Sequence, residues 1–429
     1  MKKLGILVAM VIAIGSIGIA KIDNTTAGGG WQASHPAIWD NLIIAPITMS
    51  APEGTHKSAV CGINIENGNV EWKHEVPDRI FSSVSIEGDK AYVVLPHNKY
   101  PYRYLTCLNA KTGEMIKEVP FEKATYNRPL IRDGLIYIGT TGISQGRGSI
   151  ECYDLDLNFK WTFDSISSTQ ILDGWVYGLP GYEVIDGKPW LFIGSHNSQI
   201  TPIDAKTGKA KPLLWKNTVF QTNGSGTNDF WAPNGQIFQA GGPIENDIIV
   251  KDGKIWFGCM DGFAYCLNAK DGQRVWKFED TRDAKDNTKD NARVAMNIRF
   301  GRSSPLLIGD NMFLGAQAVS DNKFSGLYQI NASTGAVMGY YKTSDYVGGT
   351  PVLVGNNIIF GCDNGNIYCV SQSLGEVWKT AVTGSPSCVP AVSEDKLVFC
   401  VREASGIFGQ KVVCVNASGQ LLWKTEQFK

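Results

Sequence analysis

From about residue 31 to residue 427 the chain alternates short apolar and polar runs, broken every few residues by a turn signal. The stretch AYCLNAKDGQRVWKF, from Ala264 to Phe278, shows the unit. Tyr265, Leu267 and Ala269 recur with a period of two, which places them on one face of a β-strand. Asn-Ala-Lys-Asp-Gly is turn chemistry, with Gly272 supplying a positive φ that other residues resist. A second strand follows and carries Trp276. The same strand–turn–strand pattern occurs eight times, with turn positions at Gly68, Gly113, Asn158, Gly208, Gly272, Gly335, Gly375 and Gly419. Successive turns are 40 (Gly335 to Gly375) to 64 residues (Gly208 to Gly272) apart.

Two more strands precede each pair. DIIVKDGKIWFGCMDG (from Asp247), TPVLVGNNIIFGCDNG (from Thr350) and RPLIRDGLIYIGTTG (from Arg128) are apolar runs around Asp-Gly or Gly-Asn-Asn, which signals a hairpin. Each unit therefore reads as four antiparallel strands, A to D. Eight such units at this spacing predict an all-β fold, an eight-bladed β-propeller with almost no helix. Trp72, Trp161, Trp215, Trp276, Trp378 and Trp423 recur in strand D, where an indole can fill the gap between adjoining blades and bury ~150–250 Å2.

The pattern apolar-Tyr-apolar-Gly-x-x-Asp-Gly-x-apolar-Tyr-x-Leu-Asn-Ala-x-x-Gly-x-x-x-Trp resembles the tryptophan-docking repeat of the pyrroloquinoline-quinone-like propellers. That family includes quinoprotein alcohol dehydrogenases and the outer-membrane assembly lipoprotein of the BamB type. The resemblance implies the fold. It does not by itself imply a site, because the motif builds blades.

Composition agrees with a large globular protein: 43% apolar residues and a net charge of −1 give no reason to expect nucleic acid as a partner. The first twenty residues, MKKLGILVAMVIAIGSIGIA, combine a basic start with an apolar run. Residues 1–27 are expected to be a signal peptide, with an uncleaved anchor as the alternative, and residues 28–429 a single propeller. Location outside the cytoplasm follows as an expectation: secreted, periplasmic or cell-surface.

Six of the ten cysteines (Cys61, Cys107, Cys152, Cys266, Cys369, Cys414) fall at one register of strand C. Equivalent positions in different blades lie too far apart for disulfides, so they read as small buried residues. Cys259/Cys266 and Cys362/Cys369, each seven residues apart across a hairpin, are the two pairs open to bonding. No Cys-x-x-Cys is present, which removes covalent haem and the common zinc arrangement.

Alternating strands send A–B and C–D turns to one face and B–C and D–A loops to the other. The long insertions are all of the second kind: D–A segments around 165–181, 217–246 and 279–301, and B–C loops around 96–103, 140–147, 317–325 and 402–410. Long loops on a rigid scaffold are where binding usually resides. Candidate binding-face residues are Asn228, Asp229, Phe230, Trp231, Arg299 and Arg302. Asp280, Asp283, Asp286 and Asp290 are interspersed with Lys and Arg and lack EF-hand spacing, so they read as a solvated loop and not a calcium site. The five His lie in no nucleophile motif, and most are expected at surfaces or strand edges. Of the sequons at Asn24, Asn223, Asn331 and Asn416, the last two read as turn residues.

Quinoprotein relatives hold their quinone at the ring centre beneath an adjacent-cysteine disulfide, against Trp, with calcium bound by Glu, Asn and Asp. This chain has no adjacent Cys pair. The expectation is a non-catalytic scaffold that binds a protein or glycan through the loop-rich face, with no cofactor. The alternatives are a quinoprotein dehydrogenase with pyrroloquinoline quinone and calcium, and a structural cell-surface or filament component. The lipid-bearing cysteine of BamB-type proteins has no counterpart, since the first cysteine is Cys61.

Overall fold

The computed structural model describes residues 35–425, except 50–56, 98–102, 122, 142–147, 164–174, 197, 210–214, 216–229, 232–237, 240–241, 279–297, 319–323 and 403–409. The segment 1–27, the Asp280–Asp290 loop, Asn24, Asn223 and His56 lie outside the described residues, as do the interiors of most long loops. Eight antiparallel sheets follow one another along the chain. Blade one comprises Ala37–Trp39, Leu42–Met49, Lys57–Asn64 and Val70–Val76, and blade eight Ala391–Ser393, Lys396–Arg402, Gln410–Asn416 and Leu421–Lys424. The inner A strands of blades one and two, two and three, four and five, and eight and one touch each other. The D strands are the outer edges. Among the described residues there is no helix long and apolar enough to cross a membrane.

Two blades vary the plan. Blade four has A to C at Gly181–Ile185, Lys188–Gly194 and Gln199–Asp204. Beyond them, Phe238–Gln239 of the long insertion pairs with Gln199–Ile200, and Phe230–Trp231 pairs with Phe238–Gln239. In blade six, Ile298–Arg299 joins Leu306–Ile308 on the same edge of Asn311–Ala318.

The indoles dock as the repeat predicts, each on the C–D turn of the following blade. Trp215, Trp276 and Trp378 donate their Nε1–H to the carbonyls of Ala269, Ala332 and Ala417 at 2.8–2.9 Å. Each lies flat on a turn glycine. At Gly419, φ is +85° and a Cβ would fall 2.5 Å from the Trp378 ring, so only glycine satisfies both the turn and the ring. Trp423 closes the circle. It packs on Gly68 of blade one and donates to the Ile65 carbonyl at 2.8 Å. Among the described residues, blades one and eight each use their own four strands, and side chains join them.

Two turns differ from the sequence expectation. In blade three the left-handed residue is Leu157 (φ 59°), not Asn158, and in blade seven it is Leu374 (φ 64°), not Gly375. The reason lies in the blade before. Blade two carries Lys117 and blade six Gly339 where other blades carry Trp, so no indole covers these turns. A leucine side chain fills the space instead: Leu157 is buried, and Leu374 lies 2.7 Å from where a Gly339 Cβ would stand.

The cysteine register has a related correction. Cys152, Cys266, Cys369 and Cys414 each pair directly with the docking Trp of strand D, and Cys107 with Lys117. In blade one that position is Gly62, opposite Trp72, and Cys61 faces Lys73. The slot recurs because an indole lies over it and leaves room only for a small side chain. All ten cysteines are buried free thiols. Neither of the two pairs open to bonding is bonded. Cys259 N–H bonds the Phe263 carbonyl and Cys362 pairs with Asn366, so Cys266 and Cys369 lie three residues further along. Three residues is ~10 Å and the opposite face of the sheet. The two upper thiols instead meet loop carbonyls, Cys259 that of Gly242 at 3.0 Å and Cys362 that of Asp345 at 3.3 Å.

Candidate functional site

Each D–A segment turns at the axis before entering its inner strand, and these turns are bonded blade to blade. Residues one and two before the positions aligned with Pro129, Pro180, Pro305 and Pro351 carry the bonds. His35 N–H donates to Ser83 Oγ (2.9 Å), Ser82 Oγ to the Asn127 carbonyl (3.1 Å), and Asn127 Nδ2 to the Gly178 carbonyl (3.0 Å). Leu179 N–H then donates to Asp247 Oδ1 (2.8 Å), Asp247 N–H to Ser304 Oγ (3.0 Å), and Ser304 N–H to Thr350 Oγ1 (3.0 Å). From blade eight back to blade one, Val389 N–H donates to His35 Nδ1 at 3.0 Å, so bonds of this kind link seven of the eight blade junctions. Nδ1 accepts only while that nitrogen is unprotonated. Burial first, and the nearby Arg128 charge second, lower the His35 pKa to about 3 and keep the ring neutral.

Above this belt stands the residue three before the same aligned position. Around the axis from blade two to blade eight it is Phe81, Tyr126, Tyr177, Glu245, Arg302, Gly348 and Ser387. The mouth is therefore lopsided. Blades two to four present aromatic rings, with centroids 5.1 Å apart for Phe81–Tyr126 and 5.5 Å for Tyr126–Tyr177. Trp175 and His196 continue the row: Trp175 meets Tyr177 edge-on at 5.7 Å and stacks on His196 at 6.1 Å. The Arg103 guanidinium lies 5.2 Å from the Phe81 ring centre. Phe81, Tyr126, Trp175 and His196 are half-buried and keep part of each ring in solvent.

Blades five and six supply charge. The buried Glu245 carboxylate lies between His196 and Arg302, with His196 Nε2 3.3 Å from Oε1 and Arg302 Nε 3.6 Å from Oε2. Tyr346 is fully buried beside Arg302 and Glu245, and burial raises its hydroxyl pKa. Blades seven and eight contribute little bulk, only Gly348 and Ser387, whose hydroxyl is buried without a hydrogen bond.

Of the residues singled out in the sequence, Arg302 stands in this mouth. Arg299 is exposed on the short Ile298–Arg299 strand, and Phe230–Trp231 extends blade four at the same loop-rich face. Asn228 and Asp229 lie outside the described residues. Sequence reading missed Phe81, Tyr126, Trp175, Tyr177, His196 and Glu245. The signal was present in register alone: Tyr126-Asn-Arg-Pro, Tyr177-Gly-Leu-Pro and Arg302-Ser-Ser-Pro align once the inner-strand prolines are superposed. His35 and His196 are belt and mouth residues, two that the expectation of mostly surface or strand-edge histidines did not single out. Asn331 and Asn416 behave as expected. Each Oδ1 accepts backbone N–H groups of its own turn, Ser333 and Thr334 in one case, Ser418 and Gln420 in the other.

Comparison with known proteins agrees with this geometry. The model of the family described as outer membrane protein assembly factor BamB matches residues 56–338 and 177–425. The chain belongs to that family. BamB from Moraxella catarrhalis superposes with a TM-score of 0.57 at 17% identity, covering 88% of this chain and 96% of that one. Quinohemoprotein alcohol dehydrogenase from Comamonas testosteroni gives 0.60 at 13% identity, covering 91% and 73%. At these identities the likeness is one of fold. In sequence, tetrathionate hydrolase of Acidithiobacillus ferrooxidans is 26% identical over 199 residues, which is 41% of this chain and 36% of that enzyme's length.

Proposed function

We propose that this BamB-family propeller is a non-catalytic scaffold outside the cytoplasm, holding a partner protein at the axial mouth of its loop-rich face. The observation that carries the reading is the lopsided mouth, in which half-exposed aromatic rings stand beside Glu245 and Arg302 on a hydrogen-bonded belt that links seven of the eight blade junctions. Aromatic and arginine side chains are the residues that dominate binding energy at protein interfaces. Here they are held on a scaffold that needs little ordering on association. The name of the family, an assembly factor of the outer membrane, supports both the partner class and the location.

Glu245 has an ion-pair partner in Arg302, 3.6 Å from Oε2, and Asn246 Nδ2 donates to the Phe300 and Ser303 carbonyls, while Glu245 Oε2 and Asn246 Oδ1 are buried without a hydrogen bond. Oxygens of this kind are what a calcium ion would need, so the loading experiment below decides between the scaffold and the quinone alternative.

The test is cross-linking capture of partners from envelope extracts of the native host. We expect a protein that Phe81→Ala and Tyr126→Ala lose and Phe159→Ser, on the outer rim, retains. Retention by all variants would overturn the mouth as the binding surface. A stoichiometric quinone absorbance with dye reduction on adding pyrroloquinoline quinone, calcium and an alcohol would overturn the scaffold reading.

A further inference from the structure

The two seams without an indole are not placed at random. They lie between blades two and three and between blades six and seven, four blades apart, which in an eight-bladed ring is a diameter. They divide the ring into blades three to six and blades seven, eight, one and two. Within each half, and across the closure from eight to one, every seam carries a Trp docked on a glycine.

Three further features distinguish these seams. First, among the described residues the buried apolar clusters that fill them are the smallest in the ring, with nine residues at two/three and eight at six/seven. The other seams hold 11 to 13 each, and 23 form one continuous cluster through seven, eight and one. Second, with no indole at the outer edge, what remains there is polar and exposed. Lys117 Nζ reaches the Asp156 carbonyl at 2.5 Å, Lys90 pairs with Asp156 at 3.3 Å, and the Tyr341 hydroxyl bonds Glu376. Exposed contacts of this kind contribute little and exchange readily with water. Third, the packing that makes a strand-D indole rigid is reversed. In blade six the Trp position is Gly339 and the residue opposite it, small elsewhere, is Gln329.

We propose that the ring flexes as two rigid four-blade halves about the diameter joining these seams. The inner hydrogen-bond belt stays intact at both, through Ser82 to Asn127 and Ser304 to Thr350, and acts as the hinge line. The outer rim opens and closes around it. The mouth is cut by the same diameter: Phe81 and Ser387 ride on one half, and Tyr126, Tyr177, Glu245 and Arg302 on the other. Flexing changes the Phe81–Tyr126 and Arg302–Gly348 gaps, so the halves work as jaws on whatever occupies the mouth. The hinge belongs to the free ring and stands or falls without any partner being found.

The test is electron–electron distance measurement on the full chain with spin labels at introduced surface cysteines. The native thiols are all buried, so they stay unlabelled. Lys206→Cys with Ser418→Cys spans the two halves, and Asp156→Cys with Ser333→Cys lies within one. We expect a broad distance distribution for the spanning pair and a narrow one for the other. Two indoles installed together, Lys117→Trp with Leu157→Gly and Gly339→Trp with Leu374→Gly, should narrow the spanning pair to match. Leu374→Ala should broaden it further and leave the inner pair unchanged, which keeps the test open if the indole variants fold poorly. Equal widths for the two pairs, or a spanning pair indifferent to Leu374→Ala, would refute the hinge.

Discussion

At the scale of single residues, burial decides chemistry. His35 joins blades eight and one in the inner belt by accepting a hydrogen bond at Nδ1, and its folded pKa is about 3 against an ordinary 6.5. The unfolded chain therefore takes a proton near pH 6.5 that the folded ring refuses. Stability from this residue is complete above pH 6.5 and is lost as pH falls toward 3. The expected slope is about 1.4 kcal/mol per pH unit, or about 2 kcal/mol between pH 6.5 and 5. His35→Asn, which keeps an acceptor and cannot titrate, should flatten that part of the stability curve measured by urea unfolding. An unchanged slope would remove His35 as its source. Trp215 is fully buried at the seam between blades four and five, and Trp215→Ala should cost about 3–5 kcal/mol in the same assay.

Strands and turns show how far the alternation of residues along the chain could be read. The eight hairpin pairs, their order and the docking role of strand-D Trp were legible because each rests on a local rule: period two, turn glycine, an indole at one place in six of the eight units. The turn residue in blades three and seven was not, because whether a turn holds Gly or Leu depends on a side chain contributed by the preceding blade. Leu157 answers Lys117, some forty residues earlier, and Leu374 answers Gly339. The mouth was illegible for a similar reason. Phe81, Tyr126 and Tyr177 share nothing in their local sequences except distance from an inner strand, and only the ring makes them neighbours. The cysteines fall between these cases. Their burial was readable, but the absence of the two candidate disulfides follows from a register that puts the thiols on opposite faces. Burial pushes the Cys152, Cys266 and Cys414 thiols up to about 12. We expect no labelling of the native protein by a thiol reagent at pH 8, ten labels per chain after denaturation, and no change in Tm on adding a reductant. Eight labels, or a Tm lowered by reductant, would mean that a disulfide forms.

For the molecule as a whole, the seam between blades eight and one differs from every other in having no chain running through it. Seven seams are backed by a covalent D–A connection, so loss of an indole there weakens a joint whose parts stay close. Among the described residues, side chains and the inner belt hold the closure: Trp423 on Gly68 and Ile65, His35 on Val389, the Lys396–Glu66 ion pair at 3.1 Å, and the shared apolar cluster. Removing Trp423 should therefore act locally before it acts globally. If Trp423→Ala costs about 3 kcal/mol of docking, amides of Gln410–Asn416 and Lys57–Asn64 should exchange about 100-fold faster in native-state hydrogen exchange. Amides in blades four and five should change far less. Trp215→Ala, at a covalently backed seam, should instead raise exchange across the ring in proportion to its effect on global stability. Equal responses to the two substitutions would mean that the circle is held as tightly by its indoles where the chain is broken as where it is continuous, and that the closure is no weak point.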